Sequence, residues 1–237
     1  CIRDSPNPTS MKMIVFLVFS VLCMSEVGAQ CDNPYYQLKK GTLIVTENFD
    51  KKDKLEGRTE TKVTGYNETS TGFVATMSVK IYDKKEKLVS EVEYKLACEN
   101  GIIKIDMSSF IPQESMAAFQ DAEMEVIMDQ LEYPNNLSVG QILNDASIEM
   151  STSGSIPMKL VVDITERKVE GKESVTTPAG TFDCYKITYN THSKMMIAKM
   201  NFKTVEFLSE KCGAVRTETY KSNGNLMGYT VISKYEY

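Results

Sequence analysis

The chain has 237 residues, 27 of them basic and 32 acidic, for a net charge of −5, with one histidine, six cysteines and no tryptophan. This balance provides no basic stripe to neutralise nucleic-acid phosphates and no polybasic run beside a membrane segment. A metal site built from several histidines is likewise excluded.

Met11-Lys12 opens a short basic region, and an apolar run follows from Met13 to Met24. Ser25-Glu26-Val27-Gly28-Ala29 then offers small residues where a signal peptidase reads, so residues 11–29 have the pattern of a secretory signal peptide cleaved after Ala29. The apolar run is too short for a comfortable membrane span. Residues 1–10 fit no targeting logic and read as an upstream extension. Gln30 before Cys31 departs from the small or aliphatic residue of a lipoprotein site. Residues 30–237 form a single β domain on this reading.

Four cysteines follow the leader: Cys31, Cys98, Cys184 and Cys212. An even number in an exported chain suggests disulfides, with three connectivities open. Cys31–Cys98 and Cys184–Cys212 are the favoured pairs, with buried free thiols as the alternative. Closing a loop as long as the first would stabilise by about 4 kcal/mol on the chain-entropy account. No CxxC or Cys/His cluster is present, which argues against zinc.

Taken in order, Gly41 opens a strand over Thr42–Phe49, and Asp50–Lys54 turns it into a polar strand over Leu55–Tyr66. Residues Gly72–Met107 read as two hairpins. Phe73, Ala75, Met77, Val79 and Ile81 alternate with Val74, Thr76, Ser78, Lys80 and Tyr82, and Asp83–Lys87 makes a charged turn. Val92, Tyr94, Leu96 and Cys98 then alternate with Glu91, Glu93, Lys95 and Ala97. Period-two alternation marks strands with one buried face, and Asn100-Gly101 before Ile103, Ile105 and Met107 is a strong hairpin signal. Asn48–Leu55, Ile81–Leu88 and Thr219–Leu226 echo one another as an aromatic or apolar residue, a polar turn and a leucine. The copies do not recur at a fixed period, so they represent repeated hairpin chemistry and not a solenoid.

Pro112–Ser115 starts a short helix carrying Met116–Phe119. Glu123–Tyr133 fits either period and is read as a strand because Tyr133-Pro134-Asn135-Asn136 ends it abruptly. A short strand near Ala146–Ser151 follows. Strands resume with Met158, Leu160, Val162 and Ile164 facing inward, pair back over Val169–Val175, and turn at Thr177-Pro178-Ala179-Gly180. Phe182–Tyr189 follows, then Lys194–Glu210 with Met196, Ala198, Met200 and Phe202 on one face. A phase slip near Val205–Phe207 indicates a bulge. Met227, Tyr229 and Val231 alternate in the last strand. The expected fold is mainly β: an antiparallel meander of roughly a dozen strands closing into a barrel or half-barrel to hide its edges, with one short helical insertion.

The run Lys172–Ile187 (KESVTTPAGTFDCYKI) resembles the signature of the TapB-like family of exported bacterial β-proteins, domains of unknown function. Cys98-Glu99-Asn100-Gly101 and the stretch Tyr220–Thr230 are similar too. The resemblance implies an exported, barrel-like protein and supplies no catalytic residues, because its motifs are strand-and-turn motifs.

Candidate chemistries are few. His192 reads as an exposed turn residue, with the base of a Ser/His pair as the alternative, but no Gly-x-Ser-x-Gly elbow accompanies it. Glu91 and Glu93 share the solvated side of a strand. Neither a phosphate loop nor a calcium loop is present. Methionine is the most suggestive residue, with fourteen in the chain. Met77, Met107, Met158, Met196, Met200 and Met227 fall on inferred inward faces, and with Phe73, Tyr94, Phe202 and Tyr229 they form the expected interior. Flexible, polarizable methionine suits varied apolar partners, and it also fills irregular cores. The preferred expectation is a non-enzymatic periplasmic or secreted barrel, without cofactor or metal, holding a lipid or another apolar small molecule. The alternative is an envelope-protein interaction module with a packed core, and an uncharacterised hydrolase using His192 is third.

Overall fold

A computed structural model describes residues 31–107, 124–153, 159–195 and 198–237. The expected leader, the helix near Met116–Phe119, Met158 and Met196 lie outside the described residues.

Thirteen strands are described: β1 (Leu43–Asp50), β2 (Leu55–Thr69), β3 (Gly72–Asp83), β4 (Leu88–Glu99), β5 (Ile102–Asp106), β6 (Met124–Met128), β7 (Gln130–Pro134), β8 (Ala146–Thr152), β9 (Lys159–Thr177), β10 (Gly180–Met195), β11 (Ala198–Ser209), β12 (Gly213–Lys221) and β13 (Leu226–Glu236). They form one antiparallel sheet in the order β6-β8-β9-β10-β11-β12-β13-β1-β2-β3-β4-β5-β7, curled into a nearly closed barrel. Its two edge strands are consecutive in the chain. Residues 124–134 run first along β8 and then, past Asp129, along β5. Asp129 makes the change of partner possible: its amide donates to Ser147 O at 2.8 Å, and its carboxylate accepts from Ser147 N and Oγ.

The turns follow the expected chemistry. Asn100 and Gly101 both have positive φ, 51° and 79°, as a type I′ hairpin turn requires. The three echoed segments are the same turn made three times. In each, the amide of the first residue donates to the carbonyl four residues on, and the fourth residue has positive φ: Asp53, Glu86 and Gly224. Asp50 Oδ1 accepts from the amides of Lys52 and Lys54, and Asp83 Oδ1 accepts from Lys85 and Lys87. These aspartates hold turns whose fourth position has a side chain in a conformation that favours glycine.

Alternation then buries one face. On β3, Phe73, Ala75 and Met77 are buried opposite Cys98, Leu96 and Tyr94 of β4. With Ile103, Leu131, Ile148, Leu160, Ile164 and Ile187 they form one continuous core. Emptying a site such as Leu96 would cost about 2–5 kcal/mol. The N-terminal arm is fastened across the barrel end that carries the Asn100-Gly101 turn. Cys31 and Cys98 are joined by a disulfide with Cα atoms 6.0 Å apart, and Asn33 Nδ2 donates to Gly101 O and Tyr133 O. The arm's Tyr36 ring lies where a Cβ on Gly213 would meet it at 2.5 Å, and Gly213 has φ +76°, so only glycine suits that turn.

The predicted Cys184–Cys212 bond is absent; both cysteines are free and buried. Closeness in sequence is misleading here. The register places Ser209 opposite Cys184, while Cys212 bridges to Tyr36 of the arm. Each thiol instead points to a carbonyl two residues back, Phe182 O or Glu210 O.

Candidate functional site

The core contains one cluster that hydrophobic packing does not explain. Glu206 on β11 is paired with Ile187 of β10, so it shares a face with Tyr189 and Leu208 and points into the core. Its Oε2 accepts hydrogen bonds from Tyr133 Oη at 3.1 Å and Tyr189 Oη at 3.5 Å. Arg167 on β9 is completely buried, and its guanidinium lies 4.9 Å above the Tyr133 ring. It follows Glu166, whose φ of +56° marks a break in the β9–β10 register. That break turns a residue from a charged run inward.

Arg167 fastens the seam. Its Nη1 donates to Asn144 O at 2.7 Å and its Nη2 to Glu132 O at 3.0 Å, joining β9 to β7 and to the loop before β8. Next to it, Leu143 N donates to Arg167 O and Val169 N to Gln141 O. Arg167 Nε and Glu206 Oε1 have no hydrogen-bond partner among the described residues. Burial raises the Glu206 carboxyl above its ordinary range, against the opposing pull of Arg167 and the two tyrosine hydroxyls. Tyr36, Tyr133 and Tyr189 are all raised as well, first by desolvation and then by Glu206. The cluster is a buried acid–guanidinium–phenol network, suited to fixing the closure of the barrel.

From Glu206 outward, the same face becomes hydroxylated. Direct partners run Glu206–Thr217–Thr230–Asn48, and the neighbouring row brings Thr46 opposite Thr59. These residues are half-buried, while Ile232, the partner of Thr46 on β13, is fully buried in a second apolar cluster with Val215.

A cavity of about 580 Å³ opens at the rim between β10 and the β11–β12 turn. Phe182, Tyr185, Leu208 and Tyr235 line it together with both free cysteines. Burial pushes the Cys184 thiol up to about 12 and the Cys212 thiol up to about 11, so both stay protonated and unreactive at neutral pH.

The predicted interior residues divide into three groups. Phe73, Met77 and Met107 lie in the core, and Tyr94 packs against it with its hydroxyl raised to about 12 by burial. Phe202 is half-buried, in phase with Glu206. Met200 is in the same phase but 47% exposed, although Met195 nearer the hairpin tip packs against the core; Met227, also expected inside, is 38% exposed. Tyr229 belongs to the opposite face: it pairs with Phe49 and Glu218, stacks on Phe49 and donates to Asp53 Oδ1 at 2.8 Å. His192 is not in a turn. It lies within β10 opposite Asn201, and its Nδ1 is 2.8 Å from Asn201 Oδ1. Among the described residues, no group of three or more His, Cys, Asp or Glu side chains could hold a metal.

Similarity to known proteins agrees with this architecture. A crystal structure of a candidate exported protein with a YmcC-like fold from Bacteroides fragilis matches with a TM-score of 0.70 and 19% identity, covering 86% of this chain and all of that one. A candidate lipoprotein from Parabacteroides distasonis matches with a TM-score of 0.70 and 22% identity, covering 86% of this chain and 99% of that one. At these identities the likeness is one of fold. None of the curated proteins is similar enough in sequence to count as a match. The family profile that matches is the DUF3108-like one, over residues 39–232, a span that includes the Lys172–Ile187 run. The chain therefore belongs to the DUF3108-like family.

Proposed function

We propose that the protein is an exported, non-enzymatic envelope module that works through its surface, with the barrel serving as a packed scaffold. The observation that carries this reading is the burial of Met77 and Met107, two of the methionines expected to line a cavity. Met77 is 2% exposed and Met107 is 0% exposed. A side chain facing a space large enough for lipid would keep accessible surface towards that space; these two keep almost none. The leader-like sequence at 11–29 and the two structural neighbours, a candidate exported protein and a candidate lipoprotein, support an envelope address. His192 is held by an asparagine rather than aligned with a nucleophile, which supports a non-enzymatic role.

Native mass spectrometry of the protein purified from cell envelopes tests the reading. The expected result is the mass of the polypeptide alone, no uptake of a fluorescent fatty acid, and a specific envelope protein recovered by cross-linking in cells. A bound lipid, or saturable fatty-acid uptake, would replace this reading with that of an apolar-ligand carrier. The rim cavity favours such a carrier, since its volume and aromatic lining suit a small amphipathic ligand.

A further inference from the structure

Lysines that are scattered in sequence are gathered by the fold. The β1–β2, β3–β4 and β12–β13 turns lie side by side at one end of the barrel, because Asp50 pairs beside Gly228 and Gly57 beside Asp83. Lys51, Lys52, Lys54, Lys84, Lys85, Lys87 and Lys221 are all exposed there. Five acids share this rim, and each is engaged within it. Asp50 and Asp83 accept from their own turn amides, Asp53 from Tyr229, and Glu86 from Arg58, while Glu56 faces Lys84 at 4.0 Å. None of the other six lysines makes an ion pair among the described residues. On a chain of net charge −5, this rim gathers seven lysines against five acids.

Apolar side chains project among them. Val89 is 64% exposed, and Leu55, Leu88 and Met227 are also exposed. The tips are cross-tied: Arg58 bonds Glu86 of the neighbouring hairpin, and Tyr229 bonds Asp53, so the row is presented as a unit. Cations alternating with aliphatic side chains on protruding turns suit a surface that is anionic outside and apolar just beneath, which a soluble acidic partner is not.

We infer that this hairpin rim docks the protein on an anionic phospholipid surface, with the lysines meeting the headgroups and Leu55, Leu88, Val89 and Met227 entering the interface. The inference deepens the envelope reading by naming the surface the module meets, and its test requires neither a protein partner nor cells.

The experiment is co-sedimentation of the purified chain with vesicles of phosphatidylglycerol and phosphatidylethanolamine, compared with pure phosphatidylcholine. Binding is expected to the anionic vesicles only and to fall steeply at about 1 M salt, where the Debye length is about 3 Å. K51E/K52E/K84E/K85E is expected to weaken binding by about tenfold or more. L88S/V89S is expected to weaken it with the salt dependence retained. Circular dichroism and thermal melts of both variants should match the parent, as the substituted side chains are solvent-exposed. Equal sedimentation with both vesicle types, unchanged binding by the four-lysine variant, or equally tight binding to soluble poly-glutamate would overturn the inference. The last result would identify an acidic protein as the partner.

Discussion

Tyr133 and Glu206, 73 residues apart, meet at 3.1 Å inside the barrel and tie β7 to β11 across the core. Arg167 lies over the Tyr133 ring, and its guanidinium donates to the carbonyls of Asn144 and Glu132 beside the seam. The chain therefore closes its sheet with charge and hydrogen bonds where continuous strand pairing stops.

Removing one partner from such a network leaves the other buried and uncompensated. Arg167→Ala should lower unfolding stability by about 3–5 kcal/mol in urea denaturation. Glu206→Gln keeps an oxygen to accept from Tyr133 and should stay within about 1 kcal/mol of the parent. Tolerance of Arg167→Ala would show that the seam closes without the guanidinium.

The pH dependence has a definite sign. Burial raises the native Glu206 carboxyl above its unfolded value, so the native state keeps the proton longer. Its contribution is complete below the unfolded pKa and is lost as pH rises through the native one. The parent should therefore lose stability relative to Glu206→Gln on going from acid towards neutral pH. Asp50 and Asp83 act oppositely. Their own turn amides hold the carboxylates below the ordinary range, so their contribution is present above the unfolded pKa and is lost as pH falls through the native one. Denaturation curves of the parent, Glu206→Gln and Asp50→Asn/Asp83→Asn across pH separate the two effects.

The cysteines make two different predictions. Breaking Cys31–Cys98, which spans 67 residues, should cost about 4 kcal/mol in a Cys31→Ser/Cys98→Ser variant. Cys184 and Cys212 should resist maleimide in the native protein and react once it is unfolded, because both are buried and held as thiols. Rapid native labelling of either would contradict their placement.

Most strands, the Asn100-Gly101 hairpin and the echoed turns were legible because their signals are local, but Leu160–Ile164 and Val169–Val175, read as pairing back on each other, form one continuous strand, β9. Alternation fixes a buried face, Asn-Gly fixes a twist, and an aspartate opening a five-residue turn fixes its amides. Glu123–Tyr133 was ambiguous because it serves both ends of the sheet, although its reading as a strand agrees with β6 and β7. The central cluster was not legible. Arg167 lies in Glu166-Arg167-Lys168, which looks like a solvated face until the register break turns it inward. Glu206 did leave a trace, as the charge inside Val205-Glu206-Phe207-Leu208, and the phase slip read there corresponds to the register shift between Phe207 and Leu208. Tyr229 was assigned to the wrong face because β13 has apolar residues on both sides, Val231 and Ile232 being buried alike, so alternation could not choose. Met200 failed for another reason: phase indicates a direction, but not whether anything covers that face.

The packed interior, on which the proposed function depends, is tested most directly by mild peroxide treatment of the folded protein followed by peptide mapping. Met200 and Met227 should convert to sulfoxide while Met77, Met107 and Met150 remain intact until the protein is unfolded. Oxidation of Met77 and Met107 at the rate of Met200 would reveal an open interior and contradict the account.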